Sequence, residues 1–263
     1  MGLFGETLAS PWARFLLFLA SFVILAVLER FFAARQSGPD SDARLVTNFG
    51  LGLGNGALAA LIPLGALSAA ALAEAQEFGL FRQLAAPAWA MLLALVLARS
   101  LAGYLIHRAS HALPWLWRIH RIHHSDRQVD LSTGLRNHPG ELLLTLVVAA
   151  SVTLALGPPV PVAIAAELIL FAPALWTHVD LRLPERADRL LRLVFVTPAM
   201  HLIHHSAERR QCDSNYGDMF SLWDRLFGSY RAPGETVARL GLGPEEDRAA
   251  DNLWRQLLRP LRP

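Results

Sequence analysis

The sequence has no lysine, a single cysteine and few charged residues of any kind over its 263 positions. One thiol, Cys212, excludes an intramolecular disulfide and is too little for a thiolate metal cluster. Charged residues make up 17% of the chain, whereas a soluble domain carries about 25%. With 53% hydrophobic residues, the composition excludes a disordered chain, a disulfide scaffold and an ordinary cytosolic enzyme. It indicates a compact integral membrane protein.

Long uncharged runs account for much of this hydrophobicity. They cover residues 15–28, 45–73, 83–98 and 142–166, and the last two resume after Arg99 and Glu167 to reach residues 106 and 176. A helix that crosses a bilayer needs about 20 apolar residues. Glycine and proline at residues 157–161 predict a hairpin of two helices within the fourth run. The sequence therefore predicts one all-α domain over residues 1–263 with four or five membrane spans.

Arginines supply every one of the 24 basic residues and concentrate in three connections. These connections are residues 29–44, 107–136 and 182–210, whereas the short connections at residues 74–82 and 157–161 hold one arginine between them. Because basic residues favour the cytoplasmic side, we expect the N-terminus outside and a helical cap in the cytoplasm. The absence of lysine favours a GC-rich bacterial genome, and hence a bacterial inner membrane.

All ten histidines lie between His107 and His205, and eight of them follow helical spacing. Two are four residues apart, and two further groups occupy positions i, i+3 and i+4; the groups are His107 and His111, then His120, His123 and His124, then His201, His204 and His205. Residues three and four apart share a helix face, so each group is expected to direct its rings to one place. His138 and His178 stand apart from these groups.

So many imidazoles in one poorly solvated place indicate metal ions. Without a metal, the rings would repel one another when protonated, and when neutral they would leave nitrogens unpartnered. Imidazole suits zinc, copper, iron and nickel. One zinc ion takes about four ligands, so eight or nine histidines fit two ions, which such sites hold about 3.5–4 Å apart. The spacing predicts a dinuclear histidine site.

The residues alone leave the chemistry of that site open. The His-Glu-x-x-His signature of zinc proteases and the Glu-x-x-His signature of soluble di-iron bundles are both absent from the sequence. Redox-active irons that take up dioxygen fit neutral ligands beside a membrane. A metal-storing or metal-transporting protein and a metal-dependent membrane hydrolase are the alternatives. Transport sites usually interrupt their helices at mid-membrane, whereas these histidines follow the apolar runs.

At these histidines the sequence resembles the fatty acid hydroxylase/sterol desaturase superfamily of membrane di-iron enzymes. The resemblance covers residues 99–230 and rests on His-Arg-Ala-Ser-His at 107–111, Arg-Ile-His-Arg-Ile-His-His at 118–124, Met-His-Leu-Ile-His-His at 200–205, Asp-Ser-Asn-Tyr-Gly at 213–217 and Trp-Asp-Arg-Leu-Phe-Gly at 223–228. Residues 231–263 form a tail outside it, with a short amphipathic helix expected around Asn252 to Leu258.

The resemblance implies a non-haem centre of two iron ions, with dioxygen as co-substrate, that hydroxylates or desaturates a lipid. The ligands it implies are His107, His111, His120, His123, His124, His178, His201, His204 and His205. His138 is a candidate ligand, or a residue that orients one; Asn215 is a candidate for a water-mediated metal contact, or part of a turn. The lipid could be a fatty acyl chain, a sterol-like molecule, a carotenoid or an ether lipid.

The sequence also predicts the partners of the protein. No flavin or nicotinamide motif is visible, so electrons are expected from a separate reductase, ferredoxin or cytochrome. The bilayer and a lipid substrate are expected partners, and nucleic acid is not. Glu167 interrupts an apolar run, and is either a functional membrane carboxylate or the mark of a helix end.

Overall fold

A computed structural model describes residues 10–35, 42–234, 236–243 and 250–261, and every regular element in these ranges is helical. The α-helices are α1 (Pro11–Phe32), α2 (Asp42–Leu61), α3 (Ala66–Ala75), α4 (Leu80–Gln83), α5 (Ala88–Ala112), α6 (Pro114–His124), α7 (Pro139–Leu156), α8 (Val160–Trp176), α9 (Glu185–Leu191), α10 (Pro198–His204), α11 (Arg209–Cys212), α12 (Ser221–Leu226) and α13 (Leu253–Leu258). Short 3₁₀ helices occupy Leu131–Leu135 and Arg259–Leu261. The predicted all-α fold is confirmed.

Four stretches are long and apolar enough to cross a membrane: Phe15–Phe32, Asp42–Gln83, Ala88–Ala112 and Pro139–Leu156. Val160–Trp176 is a shorter apolar helix, so the predicted four or five spans are confirmed. The second run does not form one continuous helix. It breaks at residues 62–65, where Pro63 has no amide hydrogen to donate and Gly65 has a φ of 156°.

The predicted hairpin joins α7 to α8. Gly157 ends α7 in the left-handed conformation, with φ 62°, and α8 then begins beside Pro158 and Pro159. A Cβ atom on Gly157 would lie 2.2 Å from the Phe78 carbonyl oxygen. Only glycine therefore allows the hairpin to pack against the loop that precedes α4, which closes the bundle at the end far from the histidines.

Inside the bundle, α5 and α8 are joined by an ion pair. The Arg99 guanidinium donates to Glu167 at 2.6 Å, between side chains that are largely shielded from solvent. Glu167 therefore pairs with the neighbouring helix, and α8 continues past it without ending. Buried charges persist in such surroundings when they are paired, and this pair fixes the register of the two helices.

A buried polar network joins α2, the end of α6 and the C-terminal tail. Asp126 accepts hydrogen bonds from Arg44 Nε at 2.7 Å and from Asn48 Nδ2 at 2.9 Å. Arg136 donates to the Asn48 Oδ1, the Ile122 carbonyl and the Ala250 carbonyl. Since α6 carries three histidines, this network supports the helix that forms one side of the histidine site.

The tail helix lies where the sequence predicts it. Asn252 caps the N-terminus of α13 by accepting from the Arg255 amide, which begins the helix at Leu253. Gln256 is fully buried and accepts from the Ser125 hydroxyl at 3.2 Å. The described part of the tail is therefore packed against the residues that follow the second histidine group.

Candidate metal centre

Nine histidines converge where α5, α6 and α10 meet, and they form two groups of buried rings. The five-histidine group contains His107, His111, His120, His124 and His204. The four-histidine group contains His123, His178, His201 and His205. Within each group, one nitrogen from every ring lies within 4.8 Å of the others. These are the nine histidines that the resemblance implies as ligands.

Each i, i+3, i+4 segment is divided between the two groups. In α6, His120 and His124 enter the five-histidine group, whereas His123 enters the four-histidine group. At α10 the division is reversed, because His201 and His205 stay together and His204 crosses over. Residues four apart point the same way, but their neighbour is rotated by about 100°. The expectation that each segment serves one place is corrected accordingly.

The two groups lie side by side. The rings of His124 and His205, one from each group, stack with their centroids 4.7 Å apart. The rings of His201 and His204 are likewise stacked at 5.2 Å. An ion in each group would have the other as its neighbour, which is the arrangement that a two-metal centre requires.

Acceptors around the site hold the outward-facing nitrogens of several of these rings. His120 Nδ1 lies 2.7 Å from the Glu141 carboxylate, and His107 Nδ1 donates to the Tyr216 carbonyl at 2.8 Å. His204 Nδ1 donates to the Ser214 carbonyl at 2.7 Å. An acceptor on the outer nitrogen fixes the tautomer and aims the lone pair of the inner nitrogen into the site.

The inner nitrogens require a cation. His123 and His178 each donate Nδ1–H to a backbone carbonyl, so their Nε2 atoms carry lone pairs that face each other at 3.0 Å. Lone pairs at that distance repel unless a cation lies beside them. His107 Nε2 and His204 Nε2 are buried without any hydrogen-bond partner. The residues present therefore fit bound metal ions.

Burial also keeps the rings neutral. It lowers the pKa of His178 to about 4 and that of His204 to about 3, with neighbouring histidines adding to the effect. The pKa values of His123, His201 and His205 are likewise well below the ordinary value because these rings are desolvated. A neutral imidazole is the form that binds a metal, so the site needs no deprotonation near pH 7.

The structure does not bring His138 to either group. It caps α7, since its Nδ1 accepts from the Gly140 amide, and its Nε2 donates to the Leu257 carbonyl at 3.1 Å. Asn215 also lies outside the groups. Its side chain donates to the Met200 and Arg231 carbonyls, and its φ of 53° places it in a turn. Both ring nitrogens of His138, and the amide of Asn215, are thus engaged in supporting backbone.

Three residues contact the histidines in a supporting role that the sequence analysis did not predict. Glu141 and Asp213 contact His120 and His111, and Cys212 Sγ lies 3.7 Å from His124 Nδ1. Burial raises the pKa of Cys212 to about 12, so it remains a thiol. Asp213 lies within the Asp-Ser-Asn-Tyr-Gly motif at 213–217, and Glu141 lies two residues after Pro139 in the first turn of α7.

Replacing Glu141 by glutamine is expected to weaken metal binding about 10- to 100-fold, the usual effect of losing such a supporting carboxylate. The introduced glutamine carries no charge, so His120 loses the anion that holds its Nδ1–H. Metal retained after dialysis against graded chelator measures the effect. Glu185→Gln, at a carboxylate whose side chain is 85% exposed, is the matched control and should keep its metal. Equal retention in both variants would contradict the role of Glu141.

The part of the chain that carries the histidines is similar to a known protein family. A model of the family described as fatty acid hydroxylase matches residues 92–229, more than half of the chain. The match begins in α5 and ends after α12, and it contains all nine converging histidines. No solved structure matches the chain at a significant level.

Among curated proteins, the ornithine lipid hydroxylase OlsE of Rhizobium tropici is 33% identical over 151 residues, covering 55% of this chain and 44% of that protein. Alkylglycerol monooxygenase of Homo sapiens is 29% identical over 136 residues, covering 51% of this chain and 29% of its own. The enzyme of the same name from Danio rerio is 30% identical over 150 residues, with shares of 57% and 32%. The chain thus matches less than half the length of these relatives.

Proposed function

Since this chain belongs to the fatty acid hydroxylase family, we propose that it is a membrane-bound lipid monooxygenase with a centre of two iron ions. The convergence of nine neutral histidines on two adjacent places carries the proposal. The five-histidine group would hold one ion and the four-histidine group the other. Bound iron would supply the activation of dioxygen and the oxidation of an unreactive C–H bond.

The chain's own residues contribute orientation and exclusion of water. The ring of His204 is fully buried and that of His107 is 8% exposed, so little water reaches their inner nitrogens. Backbone carbonyls of Tyr216 and Ser214 keep both rings turned inward. A dry, pre-oriented site protects a reactive oxidant from side reactions with solvent.

The substrate that we propose is a polar lipid with a long hydrocarbon chain. The first histidines lie on α5 itself, a candidate span, so a lipid can reach them without leaving the membrane. The relatives are named for an ornithine lipid and for alkylglycerols, which share a polar head and an apolar chain. Lipids built on an acylated amino acid and glycerol ethers are therefore the substrates to test first.

We propose further that electrons come from a separate donor protein and that the site faces the cytoplasm. The arginine-rich connections at residues 107–136 and 182–210 surround the histidines, and basic segments favour that side of a membrane. The same arginines offer a complementary surface to an acidic ferredoxin or flavin domain. A bacterial inner membrane agrees with the arginine-only composition.

Metal content and oxygen dependence together test the proposal. Protein made in iron-fed cells and purified in detergent should hold about two irons per chain, as a two-metal site requires. With a chemical reductant, it should oxidise an added alkylglycerol or ornithine lipid in air and show no turnover without oxygen. Zinc alone, when iron is in excess, or lipid cleavage under anaerobic conditions would overturn the proposal in favour of a hydrolase. Metal uptake into vesicles without oxygen consumption would favour a metal-handling protein.

A further inference from the structure

Large apolar side chains are exposed in one part of the region between α8 and the tail, outside every candidate span. They belong to residues 190–196 and 219–227, here called the apolar unit, and are Leu190, Leu191, Leu193, Val194, Phe195, Leu222, Leu226 and Phe227. Leu193 is 59% and Leu226 is 66% exposed. Elsewhere in the described residues 198–221 and 228–243, no large apolar side chain is exposed. Within this region, the exposure of large apolar side chains is therefore confined to these two segments.

The apolar unit is an ordered pair of segments. Phe195 and Phe220 form an antiparallel bridge, and their rings stack with centroids 5.7 Å apart. The Val196 amide donates to the Met219 carbonyl at 2.9 Å, and the Ser221 amide donates to the Val194 carbonyl at 3.0 Å. The Leu193, Val194 and Phe195 amides also donate to carbonyls at residues 190 and 191. Because these hydrogen bonds pair backbone groups within the unit, it can tolerate surroundings that offer few hydrogen bonds.

Contacts with α5 place the unit deep along a span. The Trp223 indole donates to the Ser100 hydroxyl at 3.0 Å, and Ser100 lies at the middle of α5. Met219 and Phe220 pack against a buried cluster that contains Val96. Seven residues separate Ser100 from His107 and eleven separate Val96 from it, which correspond to about 10 Å and about 17 Å along a helix.

We propose that the apolar unit is a re-entrant segment that enters the hydrocarbon layer from the histidine side, with its exposed face against lipid acyl chains. A bilayer core is about 30 Å thick, so a segment that reaches the middle of a spanning helix lies below the headgroups. Arg186 and Arg189 precede the unit and are exposed. Their long side chains can extend to lipid phosphates while the following leucines enter the hydrocarbon.

The insertion would place a segment next to the histidine site inside the hydrocarbon layer. In the chain, residues 190–196 lie between the segments that carry His178 and His201, and residues 219–227 follow the turn that contains Tyr216, whose carbonyl accepts from His107. Lipid contacting the unit would thus be next to the histidine site without crossing water. The proposal rests on the contacts with α5 and on apolar exposure, and it holds whether or not the site binds iron.

Fluorescent labelling in liposomes tests the insertion. Single cysteines at Leu193→Cys and Leu226→Cys carry the environment-sensitive probe NBD, and quenching is compared between nitroxide-bearing phosphatidylcholine and aqueous iodide. Val147→Cys, at the lipid-facing middle of α7 and 48% exposed in the parent, is the lipid reference. Glu208→Cys, at an exposed residue before α11, is the water reference. Native Cys212 is 5% exposed, and the labelled parent gives the background.

Probes at 193 and 226 should match the probe at 147, with blue-shifted emission, strong quenching by the nitroxide lipid and loss of the iodide quenching seen at 208. Iodide quenching equal to that at 208 would show a water-facing surface and overturn the proposal. Shielding from both quenchers would also overturn it, by showing that a second copy or another protein covers the face. Val194→Cys and Leu222→Cys repeat the measurement if either first variant fails to elute as a single species.

Discussion

Replacing His204 by alanine is expected to abolish lipid oxidation and to lower the bound iron below that of the parent. His204 is fully buried, its Nε2 has no hydrogen-bond partner, and it supplies the fifth ring of its group from α10. Loss of the ring removes one of the five nitrogens that converge in that group. His123→Ala should do the same to the four-histidine group. Iron per chain and product per minute from one preparation measure both effects.

His138→Ala is the matched control, because it removes the same ring from outside both groups. The variant loses the acceptor for the Gly140 amide at the start of α7, which costs about 1 kcal/mol in typical helix caps. It should keep its iron and its activity at a temperature where it remains folded. Full turnover in His204→Ala would refute the assignment of the site, and iron loss in His138→Ala would return that residue to the metal.

Replacing Asp126 by asparagine is expected to destabilise the protein by about 3–5 kcal/mol, the usual cost of removing one partner from a buried ion pair. Asparagine has the same shape but carries no charge. The change removes the anion that Arg44, which is 2% exposed, shares with the fully buried Arg136, while Arg44 keeps its second ion pair with Asp130. Because Asp126 lies two residues after His124, the variant should also lose iron at a lower temperature. Thermal unfolding in detergent measures the change.

The pH dependence of stability follows from the same residue. Burial alone would raise the pKa of Asp126, but Arg136 and Arg44 outweigh it and hold the pKa below its ordinary value. The stabilisation is present in full above the pKa of an unfolded aspartate, about 4, and is lost as the pH falls through the lower folded value. Asp126→Asn should therefore flatten the acid side of the stability profile.

Asp42→Asn provides the comparison, since Asp42 is an exposed aspartate in the first turn of α2. Its loss should cost less than about 1 kcal/mol through the helix dipole. If Asp126→Asn unfolds at the same temperature as Asp42→Asn, the buried network does not stabilise this region. A stable variant that still loses iron would instead restrict the network to positioning α6.

Much of the candidate site followed from local spacing. Histidines four apart must share a helix face, so His107 with His111 and His120 with His124 were predictable as pairs. The division of each three-histidine segment between the two groups was not predictable. The direction of His123 and His204 depends on which element faces each side of α6 and α10. His178 joins the centre from a turn after α8, where no local periodicity marks it.

Local sequence misled where a residue's partner is distant in the chain. His138 is in a histidine-rich region, yet its ring donates to the carbonyl of Leu257, more than 100 residues away. The leucines at 190–193 stand among arginines and predict a water-facing connection. The segment continues to Phe195, which pairs with Phe220, and Phe220 packs against the cluster that contains Val96 of α5; no pattern within the segment encodes these contacts.

The sequence by itself determined the all-helical fold, the number of candidate spans, the hairpin at Gly157 and the concentration of imidazole in one place. These depend on composition, helical period and backbone restrictions, which are properties of neighbouring residues. Only the tertiary structure decided the two histidine groups, the pairing of Glu167 with Arg99, and the depth of the apolar unit. Each of these depends on contacts between segments far apart in the chain, and such contacts exist only once the helices have packed.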